Sequence, residues 1–525
     1  MNNKLQNINL PITIASTALT VFVAAIVFAF PDTTKGYAGK ILDWMLFNLD
    51  TIFLIGLLIA LVFVLFLAFS KYGNIRLGNE KPEFSKAKIF SMLFCASFGA
   101  SALYWTFTEV MYYYNGPPFG IEAGSVKALE YGLAYNFFHW GPTAWVTALI
   151  CTIPILYSFY IKGNKHFNLS AVCSSVYGDK WPKPLTKVID ALFIFSCFGV
   201  VSISLGLSTP MITAAVAAAL GIEASFFLNV AIILVISVVF TFSSYVGLGK
   251  GMLRISNANV FLFISFLVVV CLVSGITYTF ESISNALGIM LTEYPRMSLT
   301  TDPISKGGFP QYWTVFYWAY WLIFGPGMGV FIARISKGHR IKDVVLLVVG
   351  AGPIGCFLMH GIIQSYVVKL NLEGVVPAAS MVASGEGNSM IVEVLRTLPF
   401  PTIALWIFVI IAGLFMATTL DSFSFTLASA TSKKLSEADN PSPIFRLYWS
   451  LVLAIIPLLL VLINADLNTL KTIAIIVATP IGILMCLLNV STFKEIVGMF
   501  GKMNHAEIAA YTNFVDPIMS DEEKQ

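Results

Sequence analysis

Charge is what this sequence has least of. Asp, Glu, Lys and Arg make up 11% of its 525 residues, while 57% are hydrophobic and the mean hydropathy is +0.82. A soluble domain carries roughly 25% charged residues, so an ordinary soluble globular protein is excluded. The seven cysteines (Cys95, Cys151, Cys173, Cys197, Cys271, Cys356 and Cys486) are scattered, mostly inside apolar runs, without a C-x-x-C. They read as small apolar core residues, not as a disulfide framework or zinc site. No phosphate-binding Walker loop appears, which argues against an ATP-driven pump, and no nucleophile or metal-ligand spacing argues for an enzyme. The net charge of +3 lies in loops between apolar runs and points to no nucleic-acid partner. The first run lacks a small-residue cleavage site and is longer than a signal-peptide core, so it is expected to stay as a span.

What the chain does have is apolar runs of about 20 residues, each long enough to cross a bilayer. Hydropathy predicts twelve spans, at 10–30, 52–70, 89–114, 131–161, 187–220, 225–247, 255–280, 311–334, 344–369, 400–430, 446–465 and 470–492. Between the seventh and eighth, Ile283, Leu287, Met290, Leu291 and Tyr294 follow helical spacing, which predicts an amphipathic interfacial helix. With both termini cytoplasmic, 23 of the 31 Lys and Arg residues fall on the inner side, as the positive-inside rule requires. Gly-Pro interruptions in "FHWGPTAW", "SISLGLSTP", "FGPGMG", "GAGPIG" and "IIVATPIG" predict broken helices in spans four, five, eight, nine and twelve. Freed backbone groups at membrane depth must face protein or a water-filled cavity. Paired broken helices are the sequence mark of a secondary transporter.

The stretch "YWTVFYWAYW", residues 312–321, holds seven aromatic side chains in ten positions. Trp313, Tyr317, Tyr320, Trp321 and Phe324 fall on one helical stripe. An interfacial belt accounts for Trp313, but Tyr320 and Trp321 lie about two turns deeper, beside a Gly-Pro-Gly. Trp140 and Trp145 flank another Gly-Pro, and "EVMYYY" closes span three. Aromatic faces converging from separate helices hold a quaternary ammonium by cation–π attraction, worth about 2 kcal/mol or more when desolvated. Helix packing alone would also use such residues.

The segments "WTVFYWAYW…FIARISKGHRI", "RLGNEKPEFS", "YYYNGPPFG", "GLAYNFFHWGP" and "SLGLSTP" resemble the betaine/choline/carnitine transporter family, most closely its carnitine/γ-butyrobetaine antiporters. The resemblance implies an all-α membrane fold of twelve transmembrane helices, with an inverted five-helix (LeuT-like) repeat preceded by two extra helices. By position it divides the chain into two N-terminal helices and a loop (1–88), a first repeat (89–280), the interfacial helix and loop (281–310), a second repeat (311–492) and a short cytoplasmic tail (493–525). It implies a homotrimer in a bacterial inner membrane, surrounded by lipid, carrying a small quaternary ammonium substrate by alternating access. Its aromatic box falls on Tyr112, Trp140, Tyr320 and Trp321, with Met328 near the substrate carboxylate. Trp313 matches an outer substrate site, and Trp145 and Phe324 are accessory aromatics. Tyr320 stands where tryptophan is usual.

Sodium-coupled relatives place two hydroxyls on span ten beside carbonyls of span three, the oxygen ligands a hard cation needs. Here Thr418, Thr419 and the carbonyl of Phe415 occupy that place, so sodium is expected as the coupling ion, with no organic cofactor. The sodium-independent antiporters carry instead a fixed arginine on span seven. That position is Asn259, with Arg254 about a turn away. Back-bonding of the threonines to their own helix is the competing reading. Glu109 and Asp421 are ionisable groups inside spans; Glu109 reads as a hydrogen-bonded strut, with proton coupling as the alternative. His139 and His360 read as core residues. The short, mildly acidic tail lacks the basic extension of osmosensing relatives, which suggests uptake of a nutrient or metabolite.

Overall fold

In the computed structural model, residues 9–78, 80–164, 169–178, 181–246, 253–432, 441–462 and 467–511 are described. The ends of the chain at 1–8 and 512–525, including the last 14 residues of the expected tail, lie outside them. Helix dominates because a backbone in lipid must satisfy its polar groups internally. Among the described residues there is no β-strand, only an isolated bridge between Arg76 and Arg340.

The helices run in order as α1 Leu10–Ala29, α2 Pro31–Asn48, α3 Asp50–Phe69, α4 Lys86–Ala96 and α5 Ala100–Asn115. They continue as α6 Val126–His139, α7 Pro142–Leu156, α8 Leu169–Tyr177, α9 Lys183–Leu220, α10 Phe226–Val246, α11 Leu253–Ser274 and α12 Ile276–Leu299. The second half holds α13 Phe316–Ile335, α14 Ile341–Leu372, α15 Ala378–Ala383, α16 Gly387–Arg396 and α17 Pro401–Ala430. It closes with α18 Pro443–Leu462, α19 Leu467–Ile476, α20 Ala478–Phe500 and α21 His505–Tyr511. Local chemistry sets many of the starts. Pro31, Pro142 and Pro401 open their helices, where a missing N–H costs nothing. Ser125 Oγ caps α6 by accepting from Ala128 N at 3.2 Å.

Among the described residues, nine helical spans are long and apolar enough to cross a membrane, and ten if the bent pair α4–α5 counts as one. The remaining two expected spans correspond to α10 and α18, apolar over the described stretches Phe226–Phe242 and Pro443–Ile455. The interfacial helix begins earlier than expected, because Gly275 at φ +97° ends the seventh span before residue 280. Helices α2, α8, α15, α16 and α21 were not anticipated; hydropathy does not register helices that are short or mixed in polarity.

The breaks are partly relocated. Span four does break, at Trp140–Gly141 between α6 and α7, and span twelve at Val477 between α19 and α20. Spans five, eight and nine run unbroken through Pro210, Pro326 and Pro353. The glycines beside the latter two serve close packing instead. A Cβ at Gly325 would lie 2.7 Å from the Thr147 carbonyl oxygen, and one at Gly329 2.8 Å from Cys151 Cβ, so α13 and α7 meet backbone to backbone. A Cβ at Gly352 on α14 would overlap the Trp145 indole. Gly352→Val is therefore expected to displace Trp145 and cost about 1–3 kcal/mol by overpacking. Thermal unfolding in detergent checks it, and an unshifted transition would rule out this close approach.

One further break, which no Gly-Pro pair marks, is in span three, the span from which the resemblance takes backbone carbonyls. Helices α4 and α5 meet at 62° across Ser97–Gly99. Among the described residues, no hydrogen bond reaches the carbonyls of Ala96, Ser97 or Phe98.

Candidate functional site

Three helices and one break supply the aromatic side chains. On α5, Trp105, Glu109, Tyr112 and Tyr113 share a stripe at i, i+4, i+7 and i+8. The break after α6 releases Trp140, and α13 with the π-turn before it, Pro310–Val315, carries the stripe from Trp313 to Met328. Along that face Trp313 is half-buried. Tyr317, Tyr320 and Trp321 are then only 1%, 8% and 5% exposed, and Phe324 and Met328 are half-buried again.

The rings form two clusters. In the outer one, Tyr112 lies 5.5 Å from Trp313 and 6.2 Å from Trp105, centre to centre. Tyr113 meets Trp313 edge-on at 4.8 Å. In the inner one, Trp140 and Trp321 meet at 5.5 Å with planes 81° apart. Trp321 also contacts Trp145 at 6.0 Å, Phe324 at 5.5 Å and Tyr320 at 6.3 Å. The structure thus brings Trp140, Tyr320, Trp321, Trp145 and Phe324 together. Tyr112 belongs with Trp313 and Trp105, and Met328 lies one turn beyond Phe324.

Hydrogen bonds fix both central indoles. Trp140 Nε1 donates to Glu109 Oε2 at 2.9 Å, and Trp321 Nε1 to the His139 carbonyl at 3.1 Å. Glu109 is fully buried and also accepts from the Tyr113 hydroxyl. The same hydroxyl bonds His139 Nδ1 at 2.7 Å, and His139 Nε2 reaches Thr314 Oγ1 at 3.0 Å. Glu109 is the strut that ties α5 to the break after α6. His360 packs its ring 4.7 Å from Trp140 and lies 3.4 Å from Thr106 Oγ1, a buried core residue. Asp421 is buried near Arg446 of α18.

On α17, Thr419 and Thr418 both donate to the Phe415 carbonyl, at 2.8 and 3.0 Å. The Phe415 ring packs 6.2 Å from Phe98, in the span-three break. Three oxygens therefore cluster on α17, on the helix whose Phe415 ring contacts the break, and oxygen donors of this kind are those a hard cation takes. Asn259 is buried against α17, its Nδ2 donating to the Ile411 carbonyl at 3.4 Å while its Oδ1 has no partner. The side chain of Arg254 lies outside those described. Among the described residues, no group of three or more His, Cys, Asp or Glu side chains could hold a metal ion.

Two features escaped the sequence reading: Trp105 as a member of the outer cluster, and Tyr317 as the ring between clusters. The i, i+4, i+8 spacing of Trp105, Glu109 and Tyr113 was the available signal.

A family model described as BCCT, betaine/carnitine/choline family transporter, matches residues 11–499. The chain is 32% identical over 489 residues to a carnitine transporter of Acinetobacter baumannii, covering 93% of this chain and 89% of that protein. It is also 32% identical over 454 residues to the uncharacterized transporter YeaV of Escherichia coli, covering 86% and 93%.

Proposed function

The chain belongs to the betaine/carnitine/choline transporter family, and on that premise we propose that it takes up a carnitine- or betaine-like quaternary ammonium compound by sodium-coupled symport. It is a multi-pass membrane transporter and not an enzyme. The observation that carries the substrate class is the Trp140–Trp321 pair, two indoles near perpendicular at 5.5 Å and each pinned by a hydrogen bond. A trimethylammonium group donates no hydrogen bond, so pre-set π faces are what a dry site can offer it. Tyr320 keeps a π face where relatives carry tryptophan and adds a hydroxyl beside Ser101, a difference suited to altering substrate choice.

For the ion, the hydroxyls of Thr418 and Thr419, the Phe415 carbonyl and the carbonyls of the span-three break would hold sodium. Bound there, it would supply positive charge tying α17 to the break. The absence of an arginine at Asn259 favours this reading. Sodium-independent exchange of one quaternary ammonium compound for another is the second reading, favoured by the bonding of both threonines within their own helix. The proposal extends to twelve spans with cytoplasmic termini, the inverted repeat, a homotrimer and an inner-membrane location.

The test is uptake of labelled carnitine and glycine betaine into proteoliposomes, with and without an inward sodium gradient, empty or preloaded with substrate. Gradient-driven uptake into empty vesicles is the expected result. Uptake indifferent to sodium and strongly stimulated by preloading would leave exchange as the mechanism. Thr418→Val and Thr419→Val should each weaken the affinity for sodium about ten- to a hundredfold, since a polar contact to a charge contributes about 1.5–3 kcal/mol.

A further inference from the structure

The geometry points to Tyr317 as the partition between the outer and inner aromatic clusters, a side chain that must swing for a cation to pass from one to the other. The inference rests on the transport reading above. Among the rings on the α13 stripe, Tyr317 is the one that touches both groups. Outward it faces Trp313 at 6.4 Å, nearly parallel, and Trp105 at 6.3 Å. Inward it faces Trp140 at 5.9 Å, edge to face. Its other face stacks on His139 at 4.8 Å with planes 19° apart.

The stripe loses its exposure at this ring. Trp313 is half-buried one turn before it, and Tyr317 is 1% exposed. A ligand resting against Trp313, Tyr112 and Trp105 thus meets the Tyr317 ring before it meets Trp140 and Trp321. The partition is built to move. Glu109, Tyr113 and both central indoles are locked by hydrogen bonds. The Tyr317 hydroxyl lies close to Glu109 and Trp140 but makes no hydrogen bond of regular length and angle. Rotating Tyr317 therefore breaks ring contacts and only an irregular polar approach to Glu109, less than it would cost to free Glu109, Tyr113 or either central indole. Stacking holds the ring shut; a cation arriving at Trp313 and Trp105 competes for the same π surfaces and weakens that hold.

A thiol-accessibility assay tests this without any substrate, so its outcome is separate from that of the transport reading. Ser101, 8% exposed on α5 and one turn deeper than Trp105, becomes the reporter as Ser101→Cys. The background has its native cysteines replaced, and a membrane-impermeant methanethiosulfonate is applied from the outer side only. Tyr317→Ala should raise the labelling rate at least tenfold, while Tyr317→Phe, which keeps the ring, should leave it where it is. Tyr317→Leu, which keeps most of the volume, serves if the alanine variant does not assemble, and should raise the rate severalfold. Equal rates in the ring-less variants and the parent overturn the partition. So does a Tyr317→Phe rate as high as that of Tyr317→Ala, which would place the barrier in the hydroxyl and not the ring.

Discussion

Trp321→Leu is expected to lower affinity for a quaternary ammonium substrate by about 30-fold or more and to leave little measurable uptake. A desolvated cation–π contact contributes about 2 kcal/mol or more, which alone gives that factor at 1.4 kcal/mol per tenfold. The substitution also strips the inner cluster of a ring that contacts Trp140, Trp145, Tyr320 and Phe324. It further removes the donor to the His139 carbonyl, at the residue that precedes the span-four break. Leucine preserves apolar character, so general hydrophobic loss is the smaller part. Equilibrium binding of labelled carnitine to purified protein is the measurement, with Trp321→Phe as the comparison that keeps a weaker π face. Affinity within twofold of the parent in the leucine variant would remove the cage from the mechanism.

Glu109→Leu should be the most destabilising single change in the site. It leaves the buried Trp140 Nε1 without its acceptor and the Tyr113 hydroxyl with His139 as its remaining partner. The orphaned indole N–H costs about 1–3 kcal/mol, and the lost Glu109–Tyr113 bond adds about 1.5–3 kcal/mol, as for a hydrogen bond to a charged group. Glu109→Gln keeps an oxygen acceptor, and should retain most of the stability while altering the His139 contact. Thermal unfolding followed by tryptophan fluorescence separates the two variants. Equal transitions for Leu, Gln and parent would show that the carboxylate is not a strut. Parent-like stability in the glutamine variant, with uptake that loses its pH dependence, would favour proton coupling instead.

Much of the fold could be read directly, because spans are long uninterrupted apolar runs and the bilayer allows few other solutions for them. The positions of the breaks could not. Gly-Pro pairs carry two meanings, a freed backbone or a close approach, and the neighbour decides between them. At Gly325 and Gly329 the neighbour is the α7 backbone, and the helix continues. At Ser97–Gly99 a weaker signal marks a true break. The connecting helices α15 and α16 were silent because short amphipathic segments look like loops to a hydropathy window.

The site was legible to the extent that one helix defines it. Period 3.6 places Trp313, Tyr317, Tyr320, Trp321 and Phe324 on one face, and the structure keeps them there. How rings from other helices sort along that face depends on crossing angles, which no spacing within a helix encodes. Hence Tyr112 could not be assigned to the outer cluster, nor Trp140 to the inner, from letters alone.

The glycine contacts of α13 with α7 bear on motion as well as packing. Backbones that touch at Gly325 and Gly329 cannot slide or part without losing contact along a whole face. Trp145 on α7 and Trp321 on α13, whose rings are 6.0 Å apart, therefore ride on one rigid lever, while Trp140 sits on the α6 side of the break. On the transport reading, a rocking motion that opens the site to either side would carry this pair intact. The doorway would then open by other walls moving away from it.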